Sequence, residues 1–212
     1  MGENEHLSNE TREKILKISM ELFAQFGFKS VTMDDIAYKS GLSKKTVYLY
    51  FDNKKELVTD TLSWHHQCMR NDCITQLSQC KDSLEVLVRT SLHLESIFKK
   101  INPIALNELH RFFNEGYQHF RANIEQFITF IKNNLETGIK EGIYRENINP
   151  EVLSRFHVES LWMIMMPNQI IKNSDDIGDY SNEILCHFIY GILNAKGLKL
   201  YEKYKEKYYN KL

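Results

Sequence analysis

The sequence predicts an all-α protein of about nine helices, short ones at the amino end and longer ones after them. Three observations carry that prediction. The 212 residues include only 9 Gly and 3 Pro, too few turn residues for an all-β chain of this length. Apolar residues recur at helical spacing, and capping residues stand ahead of most such runs. With 42% hydrophobic and 26% charged residues the composition is globular, which excludes wholesale disorder and fibrous repeats.

Residues 9–27 form the first expected helix, with Ile15, Leu16, Ile18, Leu22, Phe23 and Phe26 at helical spacing and Gly27 as a left-handed end. Thr32-x-x-Asp35 opens a second helix over about 33–39, which buries Ile36 and Ala37. Gly41 breaks it, Leu42 plugs the turn, and Ser43 caps a third short helix through Phe51. Asn53-x-x-Glu56 and Asp82-x-x-Glu85 start the next two, the latter ending near Ile101. Asn102-Pro103 and Asn149-Pro150 each pair an N-cap with a proline in the first turn. A long helix from about Tyr117 to Glu141 ends at Gly142, and the last two are expected over 150–172 and 178–206.

The longest stretch without a charge, Ser160 to Ile171, contains Pro167, Asn168 and Gln169 and is too short to cross a bilayer. The segment Met1 to Glu10 is acidic and polar, without a signal peptide's apolar core. Cys68, Cys73, Cys80 and Cys186 form no Cys-x-x-Cys pair, so a reducing cytoplasm is the expected home, with no membrane contact. Net charge is −1, so bulk basicity does not advertise nucleic acid. Its distribution does: five lysines between Lys39 and Lys55 face the single acid Asp52.

Two short helices around a glycine turn, the second capped, fit a helix-turn-helix. Small Ala37 permits a close crossing, and Leu42 and Val47 fill the wedge. Lys44, Lys45, Tyr48 and Leu49 then point outward, free to meet a major groove. The string Thr32-Met33-Asp34-Asp35-Ile36-Ala37, then Gly41 through Phe51, then Asn53-Lys54-Lys55-Glu56-Leu57 resembles the DNA-binding domain of TetR-family transcriptional regulators. The resemblance covers about residues 10–60. It implies a three-helix helix-turn-helix domain over 1–56 and a larger helical ligand-binding and dimerisation domain over 57–212.

Carried over by position, the resemblance implies a phosphate held at Thr32 and the adjoining amides, including that of Met33. It places Thr46, Tyr48 and Tyr50 on backbone or base edges and Lys54 on a phosphate, while Lys44 and Lys45 are candidates for either. Lys45 departs from the family's pattern, which often has a small residue there, and the acidic arm lacks arginines for minor-groove reading.

Useful specificity needs two recognition helices, and the resemblance implies a homodimer in which the last two helices pair with a partner's. Phe188, Gly191, Ile192 and Ala195 are the expected interface, on a stripe with Ile184, Leu185 and Leu193; a monomer's own core is the alternative for that stripe. The basic, aromatic tail from Lys196 to Leu212 is expected to extend the last helix. The resemblance also implies a small-molecule effector among the middle helices, with Trp64, Cys68, His110, Phe113, Trp162 and Met165 as candidate contacts. His65 and His66 are adjacent and His110 shares a face with Asn114 without a third ligand, so no metal or other cofactor is expected. No nucleophile–base set or glycine-rich phosphate loop suggests an enzyme.

The function expected is a ligand-responsive homodimeric repressor of double-stranded DNA with a near-palindromic operator, released by a small, largely apolar molecule. The alternative is an all-helical ligand- or partner-binding protein without DNA recognition. The intact set Thr32, Tyr48 and Lys54 favours the first.

Overall fold

The computed structural model describes residues 2–98, 103–165 and 176–209, without the side chains of residues 2–8, 72, 73, 76, 97, 98, 103, 104, 106, 162, 164, 165 and 176–178. Ten helices are found among them: α1 (Gly2–Phe26), α2 (Met33–Ser40), α3 (Lys44–Tyr50), α4 (Lys54–Leu77), α5 (Ser83–Phe98), α6 (Pro103–Phe112), α7 (Asn114–Lys140), α8 (Pro150–Met165), α9 (Asp176–Ile192) and α10 (Ala195–Tyr208). No strand is present among these residues beyond one isolated bridge, Tyr144 to Leu193.

Local chemistry places most of these ends. Thr32 Oγ1 accepts from the Asp35 N–H (3.2 Å) while the Asp35 carboxylate accepts from the Thr32 N–H (2.8 Å), a reciprocal cap on α2. Gly41 closes α2 at φ 67°, a conformation that costs a side-chain-bearing residue about 1–2 kcal/mol. Ser43, Asn53, Asp82 and Asn149 cap α3, α4, α5 and α8 through side-chain oxygens. Asn102, expected to start α6, lies outside the described residues.

The final expected helix is two helices, which corrects the reading of the tail as a continuation of one. Asn194 interrupts it: its Oδ1 accepts from the Lys196 and Gly197 N–H groups (both 3.0 Å), and its Nδ2 donates to the Gly142 and Tyr144 carbonyls. Gly197 then lies so close to the Ile143 carbonyl that a Cβ would sit 2.3 Å from it. The tail is an independently capped helix whose side chains reach back to the start of α5. Tyr204 donates to Asp82 (2.6 Å), and Lys207 and Tyr208 donate to buried Glu85.

The chain forms two compact units. The first comprises Met1–Asn71 with Lys100–Asn123, the second Asp72–Lys99 with Ile124–Leu212. The boundary expected after Glu56 falls in the first turns of α4, which runs on unbroken. In the first unit Phe23, Ile36, Val47, Phe51, Leu57 and Leu109 share one apolar core, so the start of α4 and α6 pack with the three amino-terminal helices. In the second unit α9 packs on α8 and α5, and α10 on α5. No helix among the described residues is long and apolar enough to cross a membrane.

Candidate nucleic-acid interface

The first unit presents α3 on a rigid base. Val47, fully buried, anchors the helix, and Phe51 behind it is buried under the Arg12 guanidinium, 5.3 Å from the ring centre. Both short helices are capped at their first turn, by Thr32 on α2 and Ser43 on α3, which fixes where each begins.

The expected contact residues divide by environment. Thr32, Lys44, Lys45 and Tyr48 are exposed, Thr46, Tyr50 and Lys54 half-buried, and Met33 is buried in the core. Only the backbone amide of Met33 is therefore placed to meet a phosphate. Lys44 pairs with Asp34 of α2 at 2.8 Å, which raises the pKa of its ammonium through that hydrogen bond and charge. Neither a hydrogen bond nor an ion pair engages Lys45 among the described residues, so it is the more available cation. Leu49, named above only as an outward position, is 75% exposed against 42% for Tyr48.

Lys54 is held in a way the sequence did not announce. Its ammonium donates to the Lys29 carbonyl (3.1 Å) and lies 5.7 Å from the centre of the Phe113 ring. Partial burial lowers its pKa from the usual lysine range, against the opposing pull of Glu108 and Asp35. From the other side, Glu108 of α6 accepts the Lys29 N–H (2.8 Å). One residue, Lys29, three before the α2 cap, is thus gripped by α6 through its N–H and by α4 through its carbonyl, on two successive peptide groups. Gly27 makes room for this: a Cβ there would sit 2.6 Å from the Glu108 carboxylate.

Of the six candidate effector contacts, Trp64, Cys68, His110 and Phe113 belong to the first unit. Trp64 and Phe113 pack on its core, Cys68 is half-buried, and His110 is exposed with its ring edge-on to Tyr117 at 4.6 Å. The side chains of Trp162 and Met165 lie outside the described residues. In the second unit a cavity between α5, α8 and α9 is lined by Leu94, Leu161, Leu185, Ser91, Ser181 and Asn182 with Glu95, and includes none of the six. Of the four expected interface residues, Phe188 and Ile192 are buried inside a single copy of the chain, whereas Gly191 and Ala195 are exposed. Among the described residues no group of three or more His, Cys, Asp or Glu could hold a metal.

Residues 15–61 match the family described as "Bacterial regulatory proteins, tetR family". Over those residues the chain carries the amino-terminal domain of the TetR family. It is a transcriptional regulator with the TetR fold, in a family of DNA-binding regulators and not of enzymes. The HTH-type transcriptional repressor KstR2 of Rhodococcus jostii (strain RHA1) is 27% identical over 158 residues, spanning 72% of this chain and 76% of that repressor. The reduced form of E. coli NemR shares the TetR fold at a TM-score of 0.71 and 15% identity, over 87% of this chain and 98% of NemR. FadR of Bacillus subtilis, solved in complex with stearoyl-CoA, matches at 0.61 and 18% identity, over 85% of this chain and 98% of its own.

Proposed function

We propose that this TetR-family regulator is a homodimeric repressor that binds a near-palindromic operator and is released from it by a small, largely apolar effector. Residues 1–56 serve DNA and 57–212 serve effector binding and pairing. The observation that carries the reading is the capped α3, anchored by buried Val47, with Lys45, Tyr48 and Leu49 turned outward. Lys44, Lys45, Thr46, Tyr48 and Tyr50 contact the major groove and its backbone, while Thr32, the Met33 amide and Lys54 hold phosphates. The protein acts in the cytoplasm, where that DNA is.

A two-fold dimer sets two copies of α3 about 34–36 Å apart, one helical turn of DNA. The pairing surface we propose is the exposed face of α8 and α9. Val152, Phe156 and Met163 recur there along one side of α8, and Tyr180, Tyr190 and Gly191 are exposed on α9. Large apolar residues in such a row are what a partner's helices cover.

KstR2 is named a repressor, and FadR was solved with stearoyl-CoA, a ligand with a long apolar chain. The cleft between α5, α8 and α9, lined by leucines, serines, an asparagine and Glu95, has room for little more than one water as it stands, so an effector with an apolar body would have to widen it on binding. Release then needs an effector that favours a state in which α6 is displaced. Glu108 would draw the Lys29 peptide with it, shifting the α2 cap and freeing or misplacing Lys54. A coupling of about 1–3 kcal/mol changes operator affinity by about 5–150-fold.

Footprinting on the DNA upstream of its own gene tests the reading. The wild type protects a near-palindromic site, and Tyr48→Ala abolishes protection while leaving the dimer folded. No protected site, or full protection by Tyr48→Ala, refutes the contact assignment.

A further inference from the structure

The outward side of α3 is occupied in an unusual way. Each helical residue advances the side-chain direction by about 100°, so Lys45 and Leu49 stand about 160° and 200° around the axis from Val47. The two residues opposite the anchor are therefore a lysine and a leucine one turn apart, with Cβ atoms about 5–6 Å from each other. Lys44 stands to one side and is paired with Asp34. Tyr48 and Tyr50 flank the anchor and are less exposed than Leu49.

Leu49 can neither donate nor accept a hydrogen bond, so it cannot read the donor and acceptor code of base edges. The apolar feature a base pair offers in the major groove is the C5-methyl of thymine. We propose that Leu49 is a specificity-determining residue that buries one thymine methyl in each half-site, beside a guanine whose O6 and N7 accept from Lys45. This rests on the operator-binding reading above. Charge complementarity names duplex DNA as the occupant of this face, since Lys45 stands one turn from the leucine on the same side of α3 and the segment from Lys39 to Lys55 carries five lysines against the single acid Asp52.

The test uses the full chain and a duplex enriched by it from a randomised library. Each thymine of that duplex is replaced singly by deoxyuridine, which keeps O4 and base pairing and lacks the methyl, and affinity is read by fluorescence anisotropy. At one thymine per half-site the exchange weakens wild-type binding about fourfold, and about fifteenfold when both half-sites are exchanged. Leu49→Ala binds more weakly and is indifferent to deoxyuridine at those positions; its circular dichroism matches the wild type, because Leu49 has no part in the core. If deoxyuridine has no effect anywhere, or the same effect on wild type and Leu49→Ala at every position, the leucine reads no methyl. A library that yields no enriched duplex removes the operator-binding reading itself, and this inference with it.

Discussion

His157 makes this protein acid-sensitive well above the carboxylate range. It sits on α8, 1% exposed, its ring parallel to Phe188 of α9 with centres 3.9 Å apart. Its Nδ1 has no hydrogen-bond partner among the described residues. Burial disfavours the imidazolium and pushes the pKa from 6.5 down to about 4. The unfolded chain takes up this proton near pH 6.5, and the folded chain refuses it until about pH 4. Between those values the unfolded state binds more protons, so stability falls as pH is lowered through the window. A drop from 6.5 to about 4 amounts to about 3 kcal/mol, a large share of the roughly 5–15 kcal/mol that holds a domain together. Urea unfolding followed by far-UV circular dichroism, at fixed protein concentration from about pH 7.5 to about pH 4.5, reads the loss directly. His157→Phe keeps a stacked ring on Phe188 and removes the titration, so its profile is flat where the wild type falls. Parallel loss of stability in both proteins across this window refutes the reasoning.

Glu85 titrates lower. Burial alone would raise its pKa, but hydrogen bonds from Lys207, Tyr208 and the Lys81 N–H hold it at about 2. Its contribution is therefore complete above about pH 4.5 and lost as pH falls through 2; Glu85→Gln loosens α10 at neutral pH by about 1–3 kcal/mol, measured by thermal unfolding. Gly27→Ala destabilises more than Gly41→Ala, since both strain a positive φ but only the former drives a Cβ onto Glu108; differential calorimetry ranks the two. Phe156→Glu, at a position 63% exposed in the single chain, gives a folded monomer by sedimentation if α8 lies in the pairing surface. Lys45→Ala lowers operator affinity and reduces the slope of log K against log salt by about one per protomer.

Whatever depended on neighbours in sequence could be read from the sequence. Thr32 with Asp35, Asn53 with Glu56 and Asp82 with Glu85 are caps made within three residues, so spacing announces them. The grip on Lys29 joins residues 79 and 25 positions apart, and no local pattern marks Glu108 as a partner. Phe188 and Ile192 carry the same apolar stripe whether it faces a second copy or the chain's own α5 and α8, and burial decides it in favour of the chain's own core. The break at Asn194 also has a local signal, an asparagine whose side chain caps the amides two and three residues on, but it lies inside a continuous apolar periodicity that masks it. Phe113, read as an effector contact, also supports Lys54, so Phe113→Ala would weaken DNA binding without any effector present.

Because Glu108 and Lys54 hold the N–H and the carbonyl of the same residue, Lys29, the release route proposed above makes the regulator's grip on its target adjustable at two positions that stand apart from Lys45 and Leu49. A lineage could raise or lower the inducer concentration at which its genes switch on by altering that hold alone. Target choice and chemical preference would stay as they were, so sensitivity can drift while identity is preserved.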